Sequence, residues 1–426
     1  MSNLKLTVAM NGMPVGEWRK LANGATEFQY FKGWIASEKA RAISLSLPLS
    51  GKPYRGDQVY NFFDNLLPDS ELIRSRIQQR FQVSTKHPFD LLSVIGQDCV
   101  GAIQLYQEGK SRPVRRIYAE PLSESEIESL LKNYQYSPLG MQNHEDFRIS
   151  LAGAQEKTAL LLHNNQWCRP LHTTPTSHIF KLPIGMVGQG QLDLSKSCEN
   201  EWLCLKLMKM FGLAVPEADI MHFGDTTVLV VKRFDRRWSK RESWLVRLPQ
   251  EDFCQALNIA PARKYESDGG PSMGQILSVL NGSVTPVEDR KHFLKAQIVF
   301  WLLCAIDGHA KNFSLFLEQG NRYRLTPFYD VISAYPLISE KTLQKQKVKM
   351  AMAWQGENKH YLWHKIQPRH FYSTAKLAAI AAETVDEILH EILRDSTKLS
   401  SIKTAHLPSF IADPILEGLS QQLTKL

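Results

Sequence analysis

The chain has 426 residues, of which 43% are hydrophobic and 22% charged, with a formal net charge of +8. That length supports two or three domains with substantial cores, and the composition excludes a disordered or fibrous chain. The basic excess favours an anionic partner such as nucleotide or nucleic acid, unless the lysines are simply spread over the surface. The cysteines are scattered, at Cys99, Cys168, Cys198, Cys204, Cys254 and Cys304, with no Cys-x-x-Cys pair, so reduced thiols in a cytosol are expected. Met1 to Lys20 lacks the apolar core of a signal peptide. The apolar run Val299 to Ile306 is far short of the roughly 20 residues needed to span a bilayer, so it reads as a buried helix. A cytoplasmic location follows as an expectation.

In chain order, Leu4–Met10 alternates as a strand, and Asn11-Gly12 tolerates the positive φ of a tight hairpin. Val15–Lys20, Thr26–Phe31 and Ile43–Leu47 are further candidate strands, the last closed by Pro48. A small antiparallel sheet or barrel is expected from them. Helices are predicted over Ser70–Phe81, His87–Ile95 and from Ser123 to Tyr134, the last opening on a capping-box sequence. Strands return at Phe147–Leu151, Thr158–Leu162 and Ser177–Leu182. A helix over Ser197–Phe211 stopped by Gly212 follows, then strands Glu217–His222 and Thr227–Phe234. Beyond Leu248 the chain reads as helical. Its longest periodic stretch, Glu288–Ile306, delivers the chain directly to Asp307, and later helices fall at Ser373–Ala382, Val385–Leu393 and from Pro414. A β-rich half precedes a helical half, with a linker near Asp235 to Ser243. That layout suits a nucleotide cleft between two lobes.

The chemistry centres on Asp307-Gly308-His309-Ala310-Lys311-Asn312, with Asp330 in Tyr329-Asp330-Val331 downstream. Phosphoryl transfer uses one carboxylate as base and a further amide oxygen and carboxylate to hold magnesium against the phosphates. Lys311 can neutralise the transferring group. An ordinary loop with a capping Asp and a turn-forming Asn is the bland alternative. Lys181, on a candidate strand, can bridge phosphates, with Glu201 on the next helix as its partner; a solvent-facing lysine is the competing reading. The turn Ser150-Leu151-Ala152-Gly153-Ala154-Gln155-Glu156-Lys157 can cradle phosphate oxygens or be a simple hairpin turn. Ser150, beside Arg148, is a candidate phosphoacceptor. Lys232-Arg233-Phe234-Asp235-Arg236 is either an adenine-contacting linker or an exposed, charged strand end.

Together these segments resemble the HipA family, bacterial serine/threonine kinase toxins of type II toxin–antitoxin pairs. The resemblance is carried by residues 61–70, 146–160, 178–185, 233–238 and 307–314, with Tyr265-Glu266-Ser267-Asp268-Gly269-Gly270-Pro271 and 325–330. It implies an α+β, bilobal protein-kinase-like fold, with a β-rich N-terminal lobe, a small N-terminal barrel and a mostly helical C-terminal lobe. The expected divisions are residues 1–110, 111–235 and 236–426. Asp307 would be the catalytic base, and Asn312 and Asp330 the Mg2+ ligands. ATP would be contacted by Ala152, Gly153, Ala154, Gln155, Glu156, Lys157, Lys181, Lys232, Arg233, Phe234, His309, Ala310, Lys311, Asn312, Tyr329 and Asp330. Ser150 would be autophosphorylated. The implied target is glutamyl-tRNA synthetase, whose modification blocks translation and promotes dormancy. The implied partner is a HipB-like antitoxin dimer that brings the chain to operator DNA. Lys376 is a candidate direct DNA contact, although Ala379 stands where the family has a basic residue. Two rival readings remain open, a non-catalytic corepressor and a small-molecule kinase.

Overall fold

The computed structural model describes residues 4–107, 115–133, 151, 155–188, 191–240 and 243–426. The chain forms two compact units. The first comprises Met1–Leu182, Met221–Ala262 and Leu315–Tyr323; the second comprises Pro183–Ile220, Arg263–Ser314 and Arg324–Leu426.

The first unit is β-rich. Five antiparallel strands lie in the order Tyr54–Arg55, Thr26–Tyr30, Met13–Lys20, Leu4–Met10, Ile103–Gln107. Among the described residues no pairing joins the two outer strands of this sheet. Met10 pairs with Met13 across the Asn11-Gly12 turn, whose φ values of 48° and 75° are those the Asn-Gly sequence permits at low cost. Strand alternation sends Leu6, Val8 and Trp18 into a core shared with helices Asp57–Asp64 and Pro88–Ile95, and Trp18 stacks on Phe63 at 3.8 Å between ring centroids.

Ile43–Leu47 departs from expectation. It forms only a single bridge between Ser44 and Leu47. Its backbone is satisfied by side chains instead: Ile43 N–H donates to the Tyr30 hydroxyl at 2.8 Å and Leu45 N–H to Glu251 Oε1 at 2.8 Å. With those groups taken, no ladder can form there. A second sheet runs in the order Ala218–Phe223, Thr226–Lys232, His178–Lys181, Lys157–His163, Gln166–Pro170, Ala119–Pro121. Helix Glu124–Lys132 opens on the capping box foreseen at Ser123 and Glu126; the Tyr134 end, like the Phe147–Ser150 portion of the next strand, lies outside the described residues.

The second unit is mostly helical, built on Ser197–Met210, Pro286–Leu302, Pro368–Leu377, Ala382–Ser396 and Ser409–Leu423 with the hairpin Lys349–Gln355/Lys359–Leu362. Trp301 and Trp363 each donate an indole N–H to the other's carbonyl, at 3.3 and 2.7 Å, which lets two large rings sit fully inside. The long helix starts at Pro286, where a missing N–H costs nothing. It stops at Leu302, four residues short of expectation. Cys304 takes a left-handed φ of 49°, and Ala305 N–H returns to Phe300 O at 2.8 Å. The apolar run thus continues through the turn after the helix has ended. The Pro368 helix also begins earlier than expected and stops before Ala379, at φ 53°. No helix among the described residues is long and apolar enough to cross a membrane.

Candidate functional site

The second unit brings together the Asp-Asn-Asp set. After the left-handed turn the chain runs through Asp307, which is exposed, to a short 3-10 turn Ala310–Asn312 that is buried. His309 N–H donates to Asp307 O at 2.8 Å and Asn312 N–H to His309 O at 2.9 Å, so the loop is closed by its own backbone. Gly308 passes against the Phe300 ring, where a Cβ would sit 2.6 Å from a ring carbon. Only glycine lets the loop lie this close to the helix that precedes it.

Asp330 lies beside Asn312. The Asn312 amide N–H donates to Asp330 Oδ2 at 3.2 Å. Asp330 itself has φ 63°, a left-handed conformation that a non-glycine residue adopts at a cost of about 1 kcal/mol or more. Tyr329 holds the segment in place: its hydroxyl donates to Lys311 O at 2.9 Å and shares a 2.5 Å hydrogen bond with Ser314 Oγ. The Tyr329 hydroxyl, expected at the nucleotide, is therefore occupied in joining the Asp330 segment to the Asp307 loop.

Among the described residues Asn312 Oδ1, which is buried, has no hydrogen-bond partner. A buried acceptor in that condition costs about 1–3 kcal/mol, and the N–H of the same amide touches the Asp330 carboxylate. A hard cation reaching both residues would satisfy both oxygens. Among the described residues no group of three or more His, Cys, Asp or Glu could hold a metal by itself. Asn312 and Asp330 would supply one amide oxygen and one carboxylate, hard oxygen donors of the kind magnesium takes.

The first unit carries Lys157, Lys181 and the stretch 232–236. Lys157 and Lys181 are directly opposite on adjacent antiparallel strands, hence on one face of the sheet, and both are buried. Two ammonium groups on one buried face suit a polyanionic ligand. Gln155 donates to Leu182 O at 2.6 Å, and Glu156 pairs with Arg76 at 2.6 Å. Ser150, Ala152, Gly153 and Ala154 lie outside the described residues. Glu201 is buried on helix Ser197–Met210 of the second unit.

The stretch 232–236 divides by residue. Lys232 ends its strand exposed, and Phe234 is half-buried with its ring edge against Phe316 at 5.9 Å. Arg233 is buried. Its guanidinium bonds Asp235, Thr176 and the Cys99 carbonyl, and its N–H donates to Ser177 O at 2.9 Å. Arg236 and Arg247 join the same network around Asp98 and Asp235. The alternative of an exposed, charged strand end therefore holds for Lys232 but not for Arg233 or Arg236. Lys376 is exposed on the last turn of its helix, beside Leu377, which is also exposed.

Tyr265 received no role from sequence reasoning. Its hydroxyl donates to Asp307 Oδ1 at 2.5 Å. The available signal was an aromatic residue at the head of a Gly-rich turn already noted among the matching segments.

A β-rich unit with paired lysines on one sheet face and a helical unit presenting Asp307, Asn312 and Asp330 define a kinase-like α+β protein. The model of the HipA-like C-terminal domain matches residues 149–399, and that of the HipA N-terminal domain matches residues 6–106. The chain belongs to the HipA family, as its sequence resemblance anticipated. It is 33% identical over 356 residues to Y4mE of Sinorhizobium fredii, a kinase by name, covering 82% of each chain. It is 27% identical to the serine/threonine-protein kinase toxin HipA of Shewanella oneidensis over 342 residues, 78% of this chain and 75% of that one. A solved Shewanella oneidensis MR-1 structure of HipA with HipB and operator DNA matches with a TM-score of 0.79 at 23% identity, covering 99% of this chain and 96% of that chain. That likeness establishes the fold.

Proposed function

We propose that this chain is a serine/threonine protein kinase that uses ATP and Mg2+ and serves as the toxin of a toxin–antitoxin pair. The observation that carries the reading is the buried, unsatisfied Oδ1 of Asn312, whose amide N–H touches the Asp330 carboxylate. Asn312 and Asp330 would hold the ion. When bound, magnesium supplies positive charge across the phosphate oxygens. Lys157 and Lys181 would bind phosphates, and Lys311 would offset charge on the transferring group.

Asp307 is exposed, so a substrate hydroxyl can reach it. Its carboxylate would take the hydroxyl proton as the hydroxyl oxygen bonds the γ-phosphorus. The bond from that phosphorus to the β–γ bridging oxygen breaks, and ADP leaves. Lys232, Arg233 and Phe234 would border the adenine. Gln155, Glu156 and the 152–154 turn, His309, Ala310 and Tyr329 would complete the nucleotide surroundings.

The finer parts of the proposal follow the family. Ser150 is the autophosphorylation site, and glutamyl-tRNA synthetase is the target whose modification halts translation and promotes persistence. A HipB-like antitoxin dimer carries the chain to operator DNA, with Lys376 available for direct contact. The expected setting is cytoplasmic. The relative solved with HipB and operator DNA supports the antitoxin and operator DNA alone.

The test is purified protein with Mg2+ and γ-labelled ATP, followed by mapping of the modified residue. Wild type should label itself on Ser150. Asp307→Asn should bind ATP with unchanged affinity and transfer no phosphate. Equal labelling by both proteins would remove Asp307 from the mechanism. No labelling by wild type, with operator binding intact through the antitoxin, would favour the kinase-shaped corepressor.

A further inference from the structure

We infer that Tyr265 is a positioning residue that orients the Asp307 carboxylate for proton transfer; the inference rests on the kinase reading above. Asp307 is exposed on a turn, where a short carboxylate samples several rotamers unless something holds it. The Tyr265 hydroxyl donates to Asp307 Oδ1 at 2.5 Å, the short, charge-assisted end of the O–H···O range. That contact engages Oδ1 of the carboxylate and fixes the direction in which the group faces.

The phenol is itself fixed from several sides. Its ring stands edge-on to His309, with centroids 5.0 Å apart and planes at 84°, and Lys264 Nζ lies 5.6 Å from its centroid. The backbone turns sharply beneath it: Asp268 and Gly270 N–H both donate to Tyr265 O, at 3.1 and 2.8 Å. At Gly270 a Cβ would meet Arg263 O at 2.2 Å, so the turn requires glycine there.

The same segment is fastened to the loop it serves. Ala310 N–H donates to Lys264 O at 3.3 Å. Glu266, buried, accepts from Ala353 N–H at 2.8 Å and pairs with Lys359 at 2.8 Å. The strand bearing Ala353 also donates, through Ala351 N–H, to Ile306 O at 2.9 Å, one residue before Asp307. The Tyr265 turn, the Asp307 loop and the strand Lys349–Gln355 thus form a closed ring of contacts. The turn that carries the phenol is thus tied by backbone hydrogen bonds to the loop it serves, as alignment of a reacting group demands.

Tyr265→Phe removes only the hydroxyl and keeps the ring against His309. The measurement is the self-labelling rate against ATP concentration with γ-labelled ATP and Mg2+. The maximal rate should fall about ten- to a hundredfold, while half-saturating ATP stays within about twofold. A Tyr265→Phe rate within about twofold of wild type, or a loss expressed wholly in half-saturating ATP, overturns the inference while leaving the kinase reading standing. A wild type that transfers nothing overturns both.

Discussion

Removing the Asp98 carboxylate should be among the most destabilising single changes in the first unit. Asp98 accepts from Arg236 at 2.9 Å, Arg247 at 2.8 Å and both Thr176 donors, at 3.1 and 2.8 Å, with Arg233 3.5 Å away. All three guanidiniums are 1% exposed, so none can turn to water. Asp235 is the other carboxylate in the cluster. Asp98→Asn keeps the shape but leaves three buried cations facing one anion. Breaking a buried pair by removing one partner costs about 3–5 kcal/mol. For a unit of this size, that corresponds to a fall in Tm of about 10 °C. Differential scanning calorimetry measures it. The exposed Lys86–Glu71 pair is the control, since its removal should cost less than about 1 kcal/mol. The acid side gives a second reading. Burial raises the Asp98 carboxyl, but Arg236, Arg247 and Arg233 outweigh it and hold it well below the usual carboxylate range. A depressed folded value means that its stabilisation is present above the unfolded carboxylate value, about 4, and is lost as pH falls below it. Wild type should show this loss and Asp98→Asn should not. A variant melting within about 2 °C of wild type would refute the reasoning.

Two further outcomes follow from other sites. Burial pushes the Glu251 carboxyl up to about 8, against the lowering effect of its bonds to Ser44 and Leu45. A raised folded value means stability is full below the unfolded value, about 4.3, and declines as pH rises through 8. Glu251→Gln should therefore gain in Tm over wild type as pH climbs from 5 to about 9, and a pH-independent difference would contradict this. Gly308→Ala places a methyl 2.6 Å from the buried Phe300 ring. It should cost about 1–3 kcal/mol and slow phosphate transfer by displacing the Asp307 loop, and an unchanged rate and Tm would show that the loop yields freely.

The sequence was most legible where the determinants are local. Asn11-Gly12 fixed its own turn, and Ser123 with Glu126 fixed its own cap. The Asp307–Asn312 spacing and the Tyr-Asp step at 329–330 also pointed to the candidate cluster, because both lie on short loops. What escaped depends on distant partners. Ile43–Leu47 has a strand composition, yet Tyr30 and Glu251 claim its backbone. The burial of Arg233 and Arg236 was not legible in the stretch 232–236, because Asp98, which they share with Asp235, is far away in sequence. Tyr265 reaches Asp307 across 42 residues, a contact that no spacing rule anticipates.

The most direct measurement is ATP affinity with and without Mg2+, by titration calorimetry, for wild type, Asn312→Ala and Asp330→Asn. Wild type should bind ATP more tightly with magnesium, and both variants should lose most of that gain while keeping their metal-free affinity. Variants that retain the full magnesium-dependent gain would show that these two oxygens do not hold the ion, and the account of the site would fail with them.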